Sequence, residues 1–199
     1  MFTTDFITRS WRRRVSTWRA ARQSLACLIL VAAPVVVLAQ SANITNAKLD
    51  VTEDGLQLNA DIELQLTAGM QEAVRKGVPL YFIAEFQVTR GRWYWLDQSV
   101  ISATRDRRVS YAPLTDQYRI AVSGISQNVS SFEEVKRALS RIRSWTVAEK
   151  GQLKPGEKYE AALRFRLDTS QLPKPFQLNV ITSKEWSLSS DWYRWSVSP

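Results

Sequence analysis

The chain has 199 residues, 27 of them basic and 19 acidic, for a formal net charge of +8, with one cysteine and no histidine. Six basic residues (Arg9, Arg12, Arg13, Arg14, Arg19 and Arg22), one acid (Asp5) and the only cysteine, Cys27, lie in the first 39 positions, leaving 21 basic and 18 acidic residues, or +3, for the rest. That balance removes the main support for a nucleic-acid partner, and the missing His and Cys exclude disulfides, thiolate chemistry, Ser-His-Asp triads and the usual transition-metal ligand sets beyond the leader, so no cofactor or metal is expected.

The leader comes first. Its arginines precede residues 24–38, SLACLILVAAPVVVL, which carry no charge, and Val37-Leu38-Ala39 places small or modest side chains ahead of Gln40. A basic region, a short apolar core and a small-residue site describe a secretory signal peptide. The apolar run falls short of the roughly 20 residues of a spanning helix and is broken by Pro34, so cleavage is favoured over a retained N-terminal anchor. Cys27 stands at the start of the apolar core, where lipid attachment does not occur, and the residues after Arg12-Arg13-Arg14 lack the apolar continuation of a twin-arginine signal. The expected organisation is a signal over 1–39 and one domain over 40–199, long enough to depend on its core alone.

Residues 43–51 read as a strand with Thr45, Ala47, Leu49 and Val51 on one side, followed by Glu53-Asp54-Gly55, a hairpin signal. Residues 56–67, LQLNADIELQLT, alternate strictly between apolar and polar side chains, which gives a strand one dry and one wet face. Residues 67–77 break that period, and Thr67 as cap, Met70, Ala73 and Val74 on one face and Gly77 at the end predict a short helix. Residues 80–89 return to strand with Leu80, Phe82, Ala84, Phe86 and Val88 inward, and Arg90-Gly91-Arg92 turns into a strand beginning Trp93-Tyr94-Trp95-Leu96. Residues 97–109 are less regular. A turn at Leu114-Thr115-Asp116 leads to a strand over 117–123 that Gly124 closes.

Residues 131–145 predict the better helix, with a capping box of Ser131 and Glu134, a stripe of Phe132, Val135, Leu139 and Ile142, and Lys136, Arg137, Arg141 and Arg143 toward its end. After a turn at Leu153-Lys154-Pro155-Gly156, residues 159–167 form a strand with Tyr159, Ala161, Leu163, Phe165 and Leu167 inward. Phe176, Leu178 and Val180 mark another strand, and the tail from Glu185 through Val197 supplies one more hairpin. Seven to nine strands with two short helices predict a mainly β, antiparallel β-sandwich-like domain, with a sheet-rich α+β fold as the alternative.

Several patterns recur together: the signal segment, Gly77-Val78-Pro79-Leu80, Trp93-Tyr94-Trp95, residues 111–118 (YAPLTDQY), the 131–145 segment and Glu185-Trp186-Ser187-Leu188. In these the chain resembles an uncharacterised family of exported proteobacterial proteins, a domain of unknown function, over nearly the whole chain after the leader. Members are often encoded beside a nitrogen-regulation sensor histidine kinase. The resemblance implies a Gram-negative envelope location, periplasmic or anchored to the inner membrane, and a link to that kinase. It implies no activity and no site residues.

Two groups of residues are candidates for binding. The rings are Trp93, Tyr94, Trp95, Trp186, Trp192, Tyr193 and Trp195; those of 93–95 and 192–195 fall on both faces of their strands, and Trp and Tyr serve either as core and edge covering or as a surface for a protein partner or sugar rings. The arginines Arg90, Arg92, Arg105, Arg107, Arg108 and Arg119 either converge on one basic surface or, interspersed with Asp97, Asp106 and Asp116, make a solvated face with local ion pairs. A carboxylate pair for metal-independent glycoside hydrolysis is the one enzymatic arrangement left open, with Asp97 and Glu185 as the acids. The leading expectation is a non-enzymatic periplasmic adaptor docking an envelope protein through these rings and arginines. A glycan- or anionic-lipid-binding module is the alternative, and the glycosidase stands third.

Overall fold

The computed structural model describes residues 42–91, 98–174 and 186–198. The expectations for the leader, Arg92, the Trp93-Tyr94-Trp95-Leu96 strand, Asp97, the 176–180 strand and Glu185 lie outside these residues. All described residues belong to one unit, Ala39–Pro199.

The 56–67 alternation folds as expected. β2 (Gly55–Leu64) buries Leu56, Leu58, Ala60, Ile62 and Leu64 and turns Gln57, Asn59, Asp61 and Glu63 outward. It pairs antiparallel with β1 (Ala42–Thr52) across a two-residue turn, Glu53-Asp54. The glycine of the Asp-Gly signal is not in that turn. Gly55 opens the strand with φ +125°, and a Cβ there would lie 2.3 Å from the carbonyl oxygen of Ala148. β1 also departs from its expected pattern. A bulge between Ile44 and Asn46 shifts the inward set, so Ala42, Ile44 and Ala47 are buried while Thr45 and Val51 are exposed.

The first helix, α1 (Ala68–Arg75), is capped by the Thr67 hydroxyl, which accepts from the Met70 N–H at 3.2 Å, and it buries Met70, Ala73 and Val74. β3 (Leu80–Arg90) alternates as predicted, with Leu80, Phe82, Ala84, Phe86 and Val88 buried. The irregular reading of 97–109 is corrected by β4 (Gln98–Ala112), one continuous 15-residue strand held between β3 and β5 (Gln117–Val122). β6 (Ile125–Val129) has no counterpart in the sequence reading, because only Val129 is buried and an edge strand needs no alternation.

The second long helix is also corrected. α2 covers only Phe132–Leu139, and β7 takes Arg141–Ala148 with Ile142, Trp145 and Val147 buried. The β-branched and aromatic run favours a strand, and the open edge of β2 supplies its ladder, with Leu58 opposite Trp145. At the start of α2 the Ser131 hydroxyl accepts from the Glu134 N–H at 3.2 Å, whereas the Glu134 carboxylate reaches back to the Ser130 N–H at 2.9 Å.

β8 (Tyr159–Leu167) matches its prediction. The tail does not form a hairpin with itself. β9 (Tyr193–Val197) pairs with β8, Ser189 bridges Arg166, and Leu188 and Ser190 exchange backbone bonds with Leu167 and Phe165, so the segment runs along β8 as an interrupted edge.

The result is two antiparallel sheets, β1-β2-β7 and β6-β5-β4-β3-β8-β9. Rings meet between them: Phe86 of β3 lies edge-on to Trp145 of β7 with centroids 6.4 Å apart, and Phe82 stacks on Phe165 at 5.8 Å within the larger sheet. Among the described residues no helix is long and apolar enough to cross a membrane.

Candidate functional site

Cross-strand partners share a face, so the β3–β4 register decides where the β4 arginines point. Arg107 stands opposite Phe82 and Arg105 opposite Ala84, both core residues, and this places the two arginines on the inner side of the six-stranded sheet. Arg108, one residue on, takes the outer side, where its guanidinium lies 5.7 Å from the ring centroid of Tyr81. Arg90 is held at the end of β3 by Glu157 at 2.8 Å and Gln98 at 2.9 Å. Arg119 hydrogen-bonds Asn128 at 3.3 Å. The arginine group therefore divides, and of its described members only Arg105 and Arg107 come together.

Arg107 is 4% exposed. Its Nη1 donates to the carbonyls of Ala138 at 2.9 Å and Leu139 at 3.1 Å, and Nη2 donates to that of Arg141 at 2.9 Å. These carbonyls belong to the C-terminus of α2 and its exit, where orphan acceptors and the negative end of the helix dipole suit a cation. Burial, and then the charge of Arg105, push the Arg107 guanidinium down to about 10, so it stays protonated at neutral pH. Its Nε is buried with no partner among the described residues.

Arg105 has a different setting. Its guanidinium lies 5.2 Å from the ring centroid of Trp145, and it makes no ion pair among the described residues. Burial alone lowers its pKa. Beside it opens a cavity of about 320 Å³ lined by Arg105, Arg107, Ile120, Val122, Ile125 and Gln127, with Ser123 and Ala138 completing it. None of the lining residues is acidic. Once residues 98–112 are taken as strand, the signal for this site is visible, since Ile101, Ala103, Val109 and Tyr111 share the parity of Arg105 and Arg107.

The described tail rings are engaged in the fold, and Trp186 is buried in the core rather than on a surface. Trp195 packs on Phe86 at 6.1 Å and on Tyr193 at 5.7 Å, and Trp192 lies under Arg164 at 4.7 Å. Arg164 and Arg166 converge on Glu85 of β3 with bonds of 2.5–3.1 Å. Burial works against ionisation of Glu85, but the hydrogen bonds from Arg166 and Arg164 outweigh it and hold the carboxyl below the usual range. A second cavity of about 380 Å³ includes Tyr81, Asp106, Arg108 and Asp168, so cations and acids are mixed there.

The remaining feature is an open strand edge. Among the described residues the sheets present four edge strands, and three carry the usual protections against strand addition. β1 has its bulge and Lys48, β7 has Arg141, Arg143 and an irregular register, and β9 has Arg194. β6, Ile-Ser-Gln-Asn-Val, has no charge, no proline and no bulge, and its Ile125 is 78% exposed.

The architecture defines a sheet-rich, β-sandwich-like domain with two short helices. The chain belongs to the family described as Domain of unknown function (DUF4390), which it matches over residues 39–196. No curated protein and no solved structure matches it.

Proposed function

We propose that this chain is a non-enzymatic binding domain that works in the cell envelope as an adaptor, taking an extended segment of another envelope protein onto the open edge of β6. A sensor histidine kinase is one such partner, on the strength of the family resemblance alone. The observation that carries the reading is the unprotected edge: among the described edge strands β6 alone has neither a charged residue nor a bulge.

The turn before β6 fixes which backbone groups are free. Ser123 and Gly124 both have positive φ, as in the favoured two-residue hairpin turn, and Val122 pairs with Ile125 across it. Hydrogen-bonded and non-bonded pairs alternate from that closing pair, so Ser126 and Asn128 direct their N–H and C=O groups to the open side. The experiment is in-cell photo-crosslinking from Ser126 and Asn128, read by mass spectrometry, with the Asn128 probe repeated in Ser126→Pro. One dominant protein adduct that Ser126→Pro abolishes while the urea midpoint holds supports strand addition. Adducts from Trp192 but none from β6 overturn it.

A further inference from the structure

Among the described residues, Arg105 is the one cation of the inner sheet face with no carbonyl or carboxylate partner. Arg107 meets three carbonyls, whereas the described contact of Arg105 is a ring, which leaves its N–H groups to other acceptors. Two like charges two residues apart on one strand face repel, and a partly desolvated cation without a counter-charge is costly. The adjoining cavity brings no acid. It brings instead an apolar wall of Ile120, Val122 and Ile125, with Ser123 and Gln127 as polar groups. Its volume, about 320 Å³, lies in the range of small-molecule sites.

We infer that this cavity is a binding site for a small amphiphilic oxyanion, a carboxylate or phosphate on an apolar body, with the oxyanion on Arg105 and the body against Ile120, Val122 and Ile125. A guanidinium offers paired N–H groups that match both oxyanions, and the Trp145 ring lies 5.2 Å from it. Arg107 adds positive potential from behind without giving up its carbonyls. The site shares β6 as a wall but does not depend on strand addition, since the ligand lies on the inner face and the docking edge is the backbone.

The probes are octanoate and octyl phosphate, titrated calorimetrically into the full chain, with acetate and octanol as the head-only and tail-only controls. Saturable one-to-one binding of at least one probe is expected, at least ten-fold tighter than either control. Arg105→Gln weakens it ten-fold or more with the urea midpoint unchanged, and Arg105→Lys recovers part of it. Gln127→Glu, at an exposed position of the cavity wall, places a carboxylate near Arg105 and weakens it likewise. Ser126→Pro leaves it unchanged, which separates this site from the docking edge. Absence of saturable binding by both probes, or binding equal in natural protein, Arg105→Gln and Gln127→Glu, overturns the inference. Sedimentation with phosphatidylglycerol vesicles distinguishes the source. Vesicle binding that needs Arg105, without binding of either soluble probe, overturns the small-molecule site in favour of a membrane headgroup.

Discussion

Arg107 of β4 donates through Nη1 to the carbonyl of Leu139, the last residue of α2, at 3.1 Å. With its bonds to Ala138 and Arg141, one buried side chain of the larger sheet thereby fixes the junction from which β7 enters the smaller one. Arg107→Ala leaves three carbonyls short of a donor and opens a void, and is expected to cost about 3–4 kcal/mol. Arg107→Lys, a point charge without the planar fork, recovers less than half. Urea unfolding followed by far-UV circular dichroism measures both, and a loss under 1 kcal/mol for the alanine variant refutes this role.

Gly55 and Gly77 make a matched pair. Both have positive φ, but a Cβ at Gly55 meets the Ala148 oxygen at 2.3 Å and one at Gly77 meets nothing within 4 Å. Gly77→Ala therefore costs only the backbone strain, about 1 kcal/mol, while Gly55→Ala adds displacement of β7 and costs about 3 kcal/mol. Equal losses in thermal unfolding would remove the steric argument.

Glu85 predicts a pH effect. Its pKa is lowered in the folded state, so its contribution is fully present above the unfolded value, near 4.3, and is lost as pH falls through the folded value. Glu85→Gln is expected to lower stability at pH 7 by about 1–2 kcal/mol, since two charge-assisted partners are lost at a side chain that is 22% exposed. The variant should then lose less than the natural protein between pH 5 and 3. Parallel acid profiles for the two proteins contradict this.

Two of the tail tryptophans, Trp192 and Trp195, should separate. Trp195 is packed on Phe86 between the sheets, and Trp195→Ala should cost about 2–3 kcal/mol. Trp192 lies under Arg164 on the outer side, a contact worth about 0.5–1 kcal/mol, and Trp192→Ala should cost no more than that. Urea midpoints in the reverse order would place Trp192 in the core.

What the sequence discloses follows from which faces are dry. β2, β3 and β8 each put one clean apolar face against the core, so period-two alternation finds them and their inward residues. β4 has the same geometry, but Arg105 and Arg107 occupy two inward positions and mask the period. The α2–β7 boundary is hidden because Ile142 continues the helical spacing of Val135 and Leu139, and only the open edge of β2 decides that it is strand. β6 buries only its last residue, Val129, and so shows no alternation. The same three places frame the candidate sites: the arginines were nameable from sequence, but their side of the sheet required the β3–β4 register, and the bare edge required knowing that β6 exists.

The two sheets are interleaved along the chain. β1 and β2 begin the smaller sheet and β7 completes it, while β3 to β6 begin the larger one and β8 and β9 complete it. No single cleavage therefore yields two pieces that each hold a whole sheet. A piece ending before Arg141 keeps β2 with one side unpaired, and a piece beginning after Ala148 holds, of the described strands, only β8 and β9. Neither layer is a module that could be exchanged, duplicated or shed on its own. The β-rich unit can be inherited, fused or truncated only as a single block.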